Sequence, residues 1–242
     1  MGRRTGDQTR TLLLRAGMQM LLERGVSAGV QHVRLQDVLR RTGLTSGAAY
    51  RLWPDQSAYH RDLAVAMMRM RVIGPTDTIE SMIGDLVESG ASADDVIQAA
   101  ALAHVRTTAL DMTDPTDLLD AQSSVIALAL RTTADTWPEL IDASADRHRE
   151  SVDAFAALCE RLIDAYGIRM RDGLTVRDFS EALTALAEGF VIRARTNLEH
   201  PTYELSGGED GMPEGEWTLL GLAIRALAGG FTLPREGDDP SA

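Results

Sequence analysis

From Asp7 to Arg24, apolar or small residues recur at Leu13, Ala16, Gly17, Met20 and Leu21, the spacing of a single helical stripe, and Gly25 ends the run. A second stripe, Leu35, Val38 and Leu39, stops at Gly43, a residue suited to the left-handed backbone of a tight turn. Leu44 follows as an apolar anchor. Thr45 is placed to cap a third, short helix, SGAAYRLW at 46–53, whose Ala49, Leu52 and Trp53 point inward. Pro54 closes it. Asp55 can cap a fourth helix in which Tyr59, Leu63, Ala66, Met67 and Met70 share a face. Gly74 and Pro75 then mark a boundary, dividing an N-terminal domain of residues 1–71 from a larger one of 72–242.

Beyond that boundary the periodicity predicts helices near 76–89, 93–112, 116–135, 138–166, 175–198 and 214–229, separated by Gly90, Asp114 with Pro115, Trp137 with Pro138, Gly167, Asp172 with Gly173, and Pro201. No strand pattern competes, so the fold class is all-α. The polar stretch SGGEDGMPEGE at 206–216 reads as a connection.

Composition agrees with packed helices: of 242 residues 44% are hydrophobic, only 5% are aromatic and 10 are Met. A single cysteine, Cys159, rules out an intrachain disulfide, and no run of 18 apolar residues could span a bilayer. The start, MGRRTGDQTR, lacks the apolar stretch of a signal peptide, and the expected compartment is the cytoplasm. Charge changes the picture more. Residues 1–71 carry 12 Arg against 5 Asp or Glu, a net of +7, whereas 72–242 carry 12 Arg against 31, a net of −19. The overall charge of −12 therefore hides a basic N-terminal end, and phosphate responds to the local field.

Within that basic end, RLQDVLRRTGLTSGAAYRLW at 34–53 joins a helix, a glycine turn and a short helix with small polar residues outward. An ordinary helical hairpin has the same outline. A helix-turn-helix explains more, because small side chains at Thr45, Ser46, Gly47 and Ala48 let the start of a reading helix approach the major groove closely. The segment resembles the DNA-binding domain of the TetR (tetracycline-repressor-like) transcriptional regulators. The resemblance is carried by Gly43-Leu44, by Thr45-Ser46-Gly47-Ala48-Ala49-Tyr50, by Trp53 where the family usually has Phe, and by the prompt restart of the next helix. It implies that Ser46 and Ala48 face base edges, that Tyr50 and Arg51 meet phosphate or a base, and that Thr45 caps the helix and touches the backbone of double-stranded operator DNA. Two positions depart from the pattern: Gln56 stands where a Lys is common, and Arg34 stands where a Thr usually caps the second helix and could supply a phosphate contact instead.

The acidic remainder shows no H-E-x-x-H, Cys-rich or glycine-rich phosphate motif, so neither an enzyme, nor a metal, nor a cofactor is expected. His104 and Thr108 fall on an otherwise apolar stripe with Ile97 and Ala101, and Gln122 sits among Leu118, Leu119, Val125 and Ile126. They read either as satisfied core groups or as groups orienting a small, largely apolar effector, with Trp137 and Phe155 as walls. Cys159 reads as a buried hydrophobe. Phe179, Leu183, Leu186 and Phe190 form a strong stripe. The resemblance places this helix and the preceding one, with Leu158 and Leu162, in a homodimer interface. The expected protein is a ligand-released homodimeric repressor. A ligand-independent regulator or activator, or a small-molecule-binding protein without DNA affinity, are the alternatives.

Overall fold

The computed structural model describes residues 5–24, 29–70, 75–108, 123, 125–195, 198–207 and 212–235. The chain is all-α apart from two short ribbons, and it divides into two compact units: Met1–Val72 with Leu118–His148, and Ile73–Asp117 with Arg149–Ala242.

In the first unit α1 (Gly6–Arg24) packs on α2 (Leu35–Thr42), α3 (Ser46–Ala49) and α4 (Gln56–Met68). Their stripes meet in one core containing Leu13, Leu21, Val38, Trp53, Leu63 and Met67, all essentially removed from solvent. Burying such a side chain is worth about 1.5 to 3 kcal/mol, so this core dominates the stability of the unit. Gly17 of α1 lies against the Tyr59 ring and Leu63 of α4, and a methyl group there would collide with the Tyr59 hydroxyl. The same core takes in Ile126, Ala127 and Leu130 of α7 (residues 125–131) and Leu140 and Ala143 of α8 (Pro138–Ala165). Arg147 of α8 donates to the carbonyls of Met68 and Met70, both at 3.0 Å, and so satisfies acceptors that the end of α4 leaves open.

The second unit holds α5 (Pro75–Glu88), α6 (Ala93–Thr108), the later turns of α8, α9 (Val176–Arg195) and α10 (Leu219–Phe231). Its buried cluster is smaller: Ala101, Phe190 and Leu220, flanked by Leu186, Leu219 and Ile224. Ion pairs join Arg161 to Glu80, Arg177 to Asp153 and Arg225 to Asp94. Two antiparallel ribbons depart from the sequence expectation. β1 (Ile168–Met170) pairs with β4 (Thr232–Pro234), and β2 (Thr202–Leu205) pairs with β3 (Gly215–Thr218). The helix expected from residue 214 consequently starts at Leu219, where the Thr218 hydroxyl accepts from the Gly221 N–H at 2.9 Å. Strands of three or four residues are too short to show alternation in sequence.

Candidate nucleic-acid interface

The turn between α2 and α3 forms as its glycine requires. Gly43 adopts φ 67°, and the carbonyl of Leu39 accepts from both the Gly43 and Leu44 N–H groups, ending α2 within one residue. Regular helix in α3 covers only 46–49, but Leu52 and Trp53 N–H groups still bond to the Ala49 carbonyl, so the turn carries on to the buried Trp53. Thr45 occupies the cap position in extended conformation without making a side-chain cap bond, unlike Asp55, whose carboxylate accepts from the Ala58 N–H at 2.8 Å. The Thr45 hydroxyl is therefore exposed and uncommitted within its own helix.

Trp53 locks this corner. Its indole N–H donates to Asp62 at 2.6 Å, its ring meets Tyr59 edge-on at 5.1 Å, and Asp62 also receives Arg10. With Ala49 and Trp53 buried, the opposite side of α3 is presented to solvent: Thr45, Ser46, Tyr50 and Arg51 are exposed, Tyr50 by 53%, and Ala48 is half-buried. Arg34 is exposed as well. The arginines here divide by role. Arg10, Arg40, Arg41 and Arg61 pair with Asp62, Asp37, Glu23 and Glu139, whereas the side chains of Arg34 and Arg51, like those of Arg15 and Arg69, have neither an ion pair nor a hydrogen bond among the described residues.

The two departures noted in sequence explain each other. Arg34 sits at the N-cap of α2 and makes no cap bond, and the acceptor comes from α4 instead: Gln56 Oε1 takes the Leu35 N–H at 3.0 Å. Gln56 Nε2 reaches the Val33 carbonyl at 3.3 Å and the His60 ring at 2.6 Å, and the same ring nitrogen of His60 lies 3.2 Å from the Val33 carbonyl. Burial holds His60 below its ordinary pKa, against the opposing pull of that carbonyl. Gln56 is thus a brace between α4 and the start of α2, a role that its sequence position does not reveal.

The expected effector residues are divided between the two units. His104 and Phe155 belong to the second unit, while Trp137 belongs to the first, where it borders a groove of about 470 Å³ with Leu21, Val30, His32, Ile126 and Leu130. Gln122 and the side chain of Thr108 lie outside the described residues. His104 is driven down to about 4 by burial and by the neighbouring His200, while a hydrogen bond to the backbone of Ala187 opposes the shift. Sequence reading missed His200, which stacks on Phe190 with ring centroids 5.4 Å apart. It also missed the buried hydroxyl of Thr184.

The expected dimer stripe also divides. Phe179 and Phe190 are only 8% and 7% exposed, Phe179 against Phe231 and Phe190 against His200, so their surface is already covered within the chain. Leu158, Leu162, Leu183 and Leu186 are half-buried, and the outer face of α9 is formed by Ala185, Gly189 and Ile192. Cys159 is buried and its thiol pushed up by that burial, which keeps it protonated and inert. Among the described residues no group of three or more His, Cys, Asp or Glu could hold a metal ion, and no helix is long and apolar enough to cross a membrane.

An all-α chain with an N-terminal helix-turn-helix cluster and a larger helical region is the fold of TetR-like regulators. The chain is similar to a protein from Rhodococcus sp. described as a TetR-family transcriptional regulator, with 21% identity, coverage of 79% of this chain and 89% of that one, and a TM-score of 0.46. It is also similar to a structure from Rhodococcus sp. RHA1 described as a transcriptional regulator (15% identity, 92% and 95% coverage, TM-score 0.50). A further likeness is to NalD, the secondary repressor of the MexAB-OprM multidrug efflux pump in Pseudomonas aeruginosa (20% identity, 93% and 96% coverage, TM-score 0.43). At these identities the likeness is one of fold. No protein-family model and no curated protein sequence matches the chain.

Proposed function

We propose that the chain is a DNA-binding transcriptional regulator, acting as a homodimeric repressor that a small molecule releases from its operator. The observation that carries this reading is the face of α3, where Ser46, Tyr50 and Arg51 are exposed on a corner locked by Trp53 and two arginines, Arg34 and Arg51, are left without acidic partners. Ser46 and Ala48 meet base edges; Thr45, Tyr50, Arg51 and Arg34 hold the phosphate backbone. One such short helix reads few bases, so two copies reading half-sites about 34 to 36 Å apart are needed for useful specificity. Ala185 and Gly189 of α9, small enough for close helix approach, and the large apolar Ile192, 49% exposed, offer the surface for pairing beside Leu158, Leu162 and Leu183.

Release follows from connectivity. A ligand held in the second unit acts on α8, one continuous helix whose first turns belong to the first unit. Arg147 ties α8 to the end of α4, and Gln56 ties the start of α4 to α2. A ligand shifts this chain of contacts only by its differential affinity for the two states. The test is selection from random DNA by the purified chain. The reading requires enrichment of a two-fold symmetric sequence, and recovery of unenriched DNA would refute it.

A further inference from the structure

The contact between Gln56 and His60 of α4 admits one arrangement of protons. The Leu35 N–H can bond only to an oxygen, so Gln56 Oε1, 3.0 Å away, is committed to the start of α2 and the amide nitrogen faces elsewhere. That nitrogen donates to the Val33 carbonyl at 3.3 Å and lies 2.6 Å from His60 Nε2. An amide NH2 accepts nothing, so the ring nitrogen opposite it is bare and the proton of the neutral imidazole sits on Nδ1. The Val33 carbonyl lies 3.2 Å from the same bare nitrogen and gives an arriving proton an acceptor. Charge on the half-buried ring is therefore resisted by burial and by Gln56, and favoured by Val33.

A proton on Nε2 sets two donors against each other at 2.6 Å. The conflict is relieved when the Gln56 amide turns and its oxygen accepts from His60, and Leu35 then loses its acceptor. Arg34, at the N-cap of α2, makes no side-chain cap bond that would stand in for it. We propose that His60 is a positioning residue for the DNA-reading helices, whose protonation draws the Gln56 oxygen away from the start of α2 and weakens DNA binding in acid. The proposal rests on the DNA-binding reading above and adds its regulation. Through the turn at Gly43, α2 carries α3, so loosening the start of α2 lowers the fraction of chains with the reading face in place. The ionisable groups on the surrounding elements do not govern the ring. His32 and Arg34 flank Val33, Tyr59, Arg61 and Asp62 adjoin His60 on α4, and Arg10 of α1 is engaged with Asp62, but burial and the Val33 carbonyl are what set its protonation.

The test follows the full-length protein from about pH 8 to 5.5 at fixed salt, by anisotropy of a duplex recovered by selection from random DNA and by the amide resonance of Leu35 in the DNA-free chain. Affinity is expected to be full above the ordinary histidine value of 6.5 and about 3- to 10-fold weaker at the acid end, with the Leu35 amide moving in step with the His60 ring signals. His60→Gln keeps an acceptor for Gln56 and carries no titrating proton. It should bind as wild type at pH 8 and hold or tighten in acid, because every other protonation adds positive charge near phosphate. A Leu35 amide that stays still while His60 titrates, a His60 that does not titrate in this range, or an acid loss retained in His60→Gln overturns the proposal. The Leu35 measurement needs only the wild-type chain, so it stands even where the variant does not fold. Selection separates the two readings. A Leu35 amide that follows His60 with no duplex recovered leaves the proton-sensitive brace and removes the regulator, and a duplex bound equally at both ends of the range does the reverse.

Discussion

The first unit and the second handle buried polar groups in opposite ways. Around α1 to α4 two polar side chains that enter the interior are shared between partners: Asp62 receives Trp53 and Arg10, and Gln56 serves Leu35, Val33 and His60. In the second unit the apolar cluster is smaller, and the Thr184 hydroxyl and both ring nitrogens of His200 are buried without a hydrogen-bond partner. A satisfied network fixes one conformation, which is what a surface that must match the spacing of phosphates needs. An unsatisfied one carries a cost in stability. The contrast teaches that the same helical packing can close its polar network in one unit and leave it open in the other.

Core truncation should separate the units most strongly. Leu63→Ala, at a fully buried position between α4 and α1, is expected to cost about 2 to 5 kcal/mol in urea unfolding and to weaken DNA binding with it. An effect below 1 kcal/mol would break the picture of the first unit as a rigid block, since roughly that much is lost even in forgiving cores.

Acid should act on the second unit through His104. Its folded-state pKa of about 4 lies below the ordinary 6.5, so the fold favours the neutral ring. Stability is full above about pH 6.5, falls as the unfolded chain takes up a proton that the folded one refuses, and has lost roughly 3 kcal/mol once pH drops through 4. His60 and His200, also depressed, add in the same direction. Urea midpoints measured from pH 7.5 to 4 should show this loss, and His104→Gln should remove its largest part. An unchanged pH profile in that variant would assign the loss elsewhere.

Smaller substitutions sharpen the contrast by sign. Gln56→Ala removes a satisfied cap and is expected to cost about 1 kcal/mol, part of which Arg34→Thr restores by giving α2 a cap of its own. A double-mutant cycle by thermal unfolding measures that coupling, and strict additivity would contradict the brace. Thr184→Val, in contrast, removes an unsatisfied hydroxyl and should leave the ligand-free protein as stable or up to about 1 kcal/mol more stable.

The helix-turn-helix was legible in sequence because its cues are local: a stripe ending at Gly43, Asp55 capping the next helix, and Ala49 and Trp53 at inward positions. What escaped depends on distance in space. Gln56 reads as a lost phosphate contact until the start of α2 is seen beside it, and Arg34 reads as a missing cap for the same reason. The stripe at Ile126 and Leu130 shows that a helix has an apolar face but not which core receives it, so the sequence grouped Trp137 with His104 while packing assigns them to different units. His200 lies between elements in a stretch with no periodicity, and its burial comes from the chain turning back onto Phe190.

The central claim is that the exposed face of α3 binds DNA through unpaired arginines, and salt dependence of binding tests it most directly. Fluorescence anisotropy with a selected duplex, between about 50 and 200 mM salt, should give a log-log slope of about −0.9 for each phosphate neutralised. Arg51→Ala and Arg34→Ala should each weaken binding and make the slope shallower by about 1. Binding that is flat across this range, or slopes unchanged in both variants, would contradict the account.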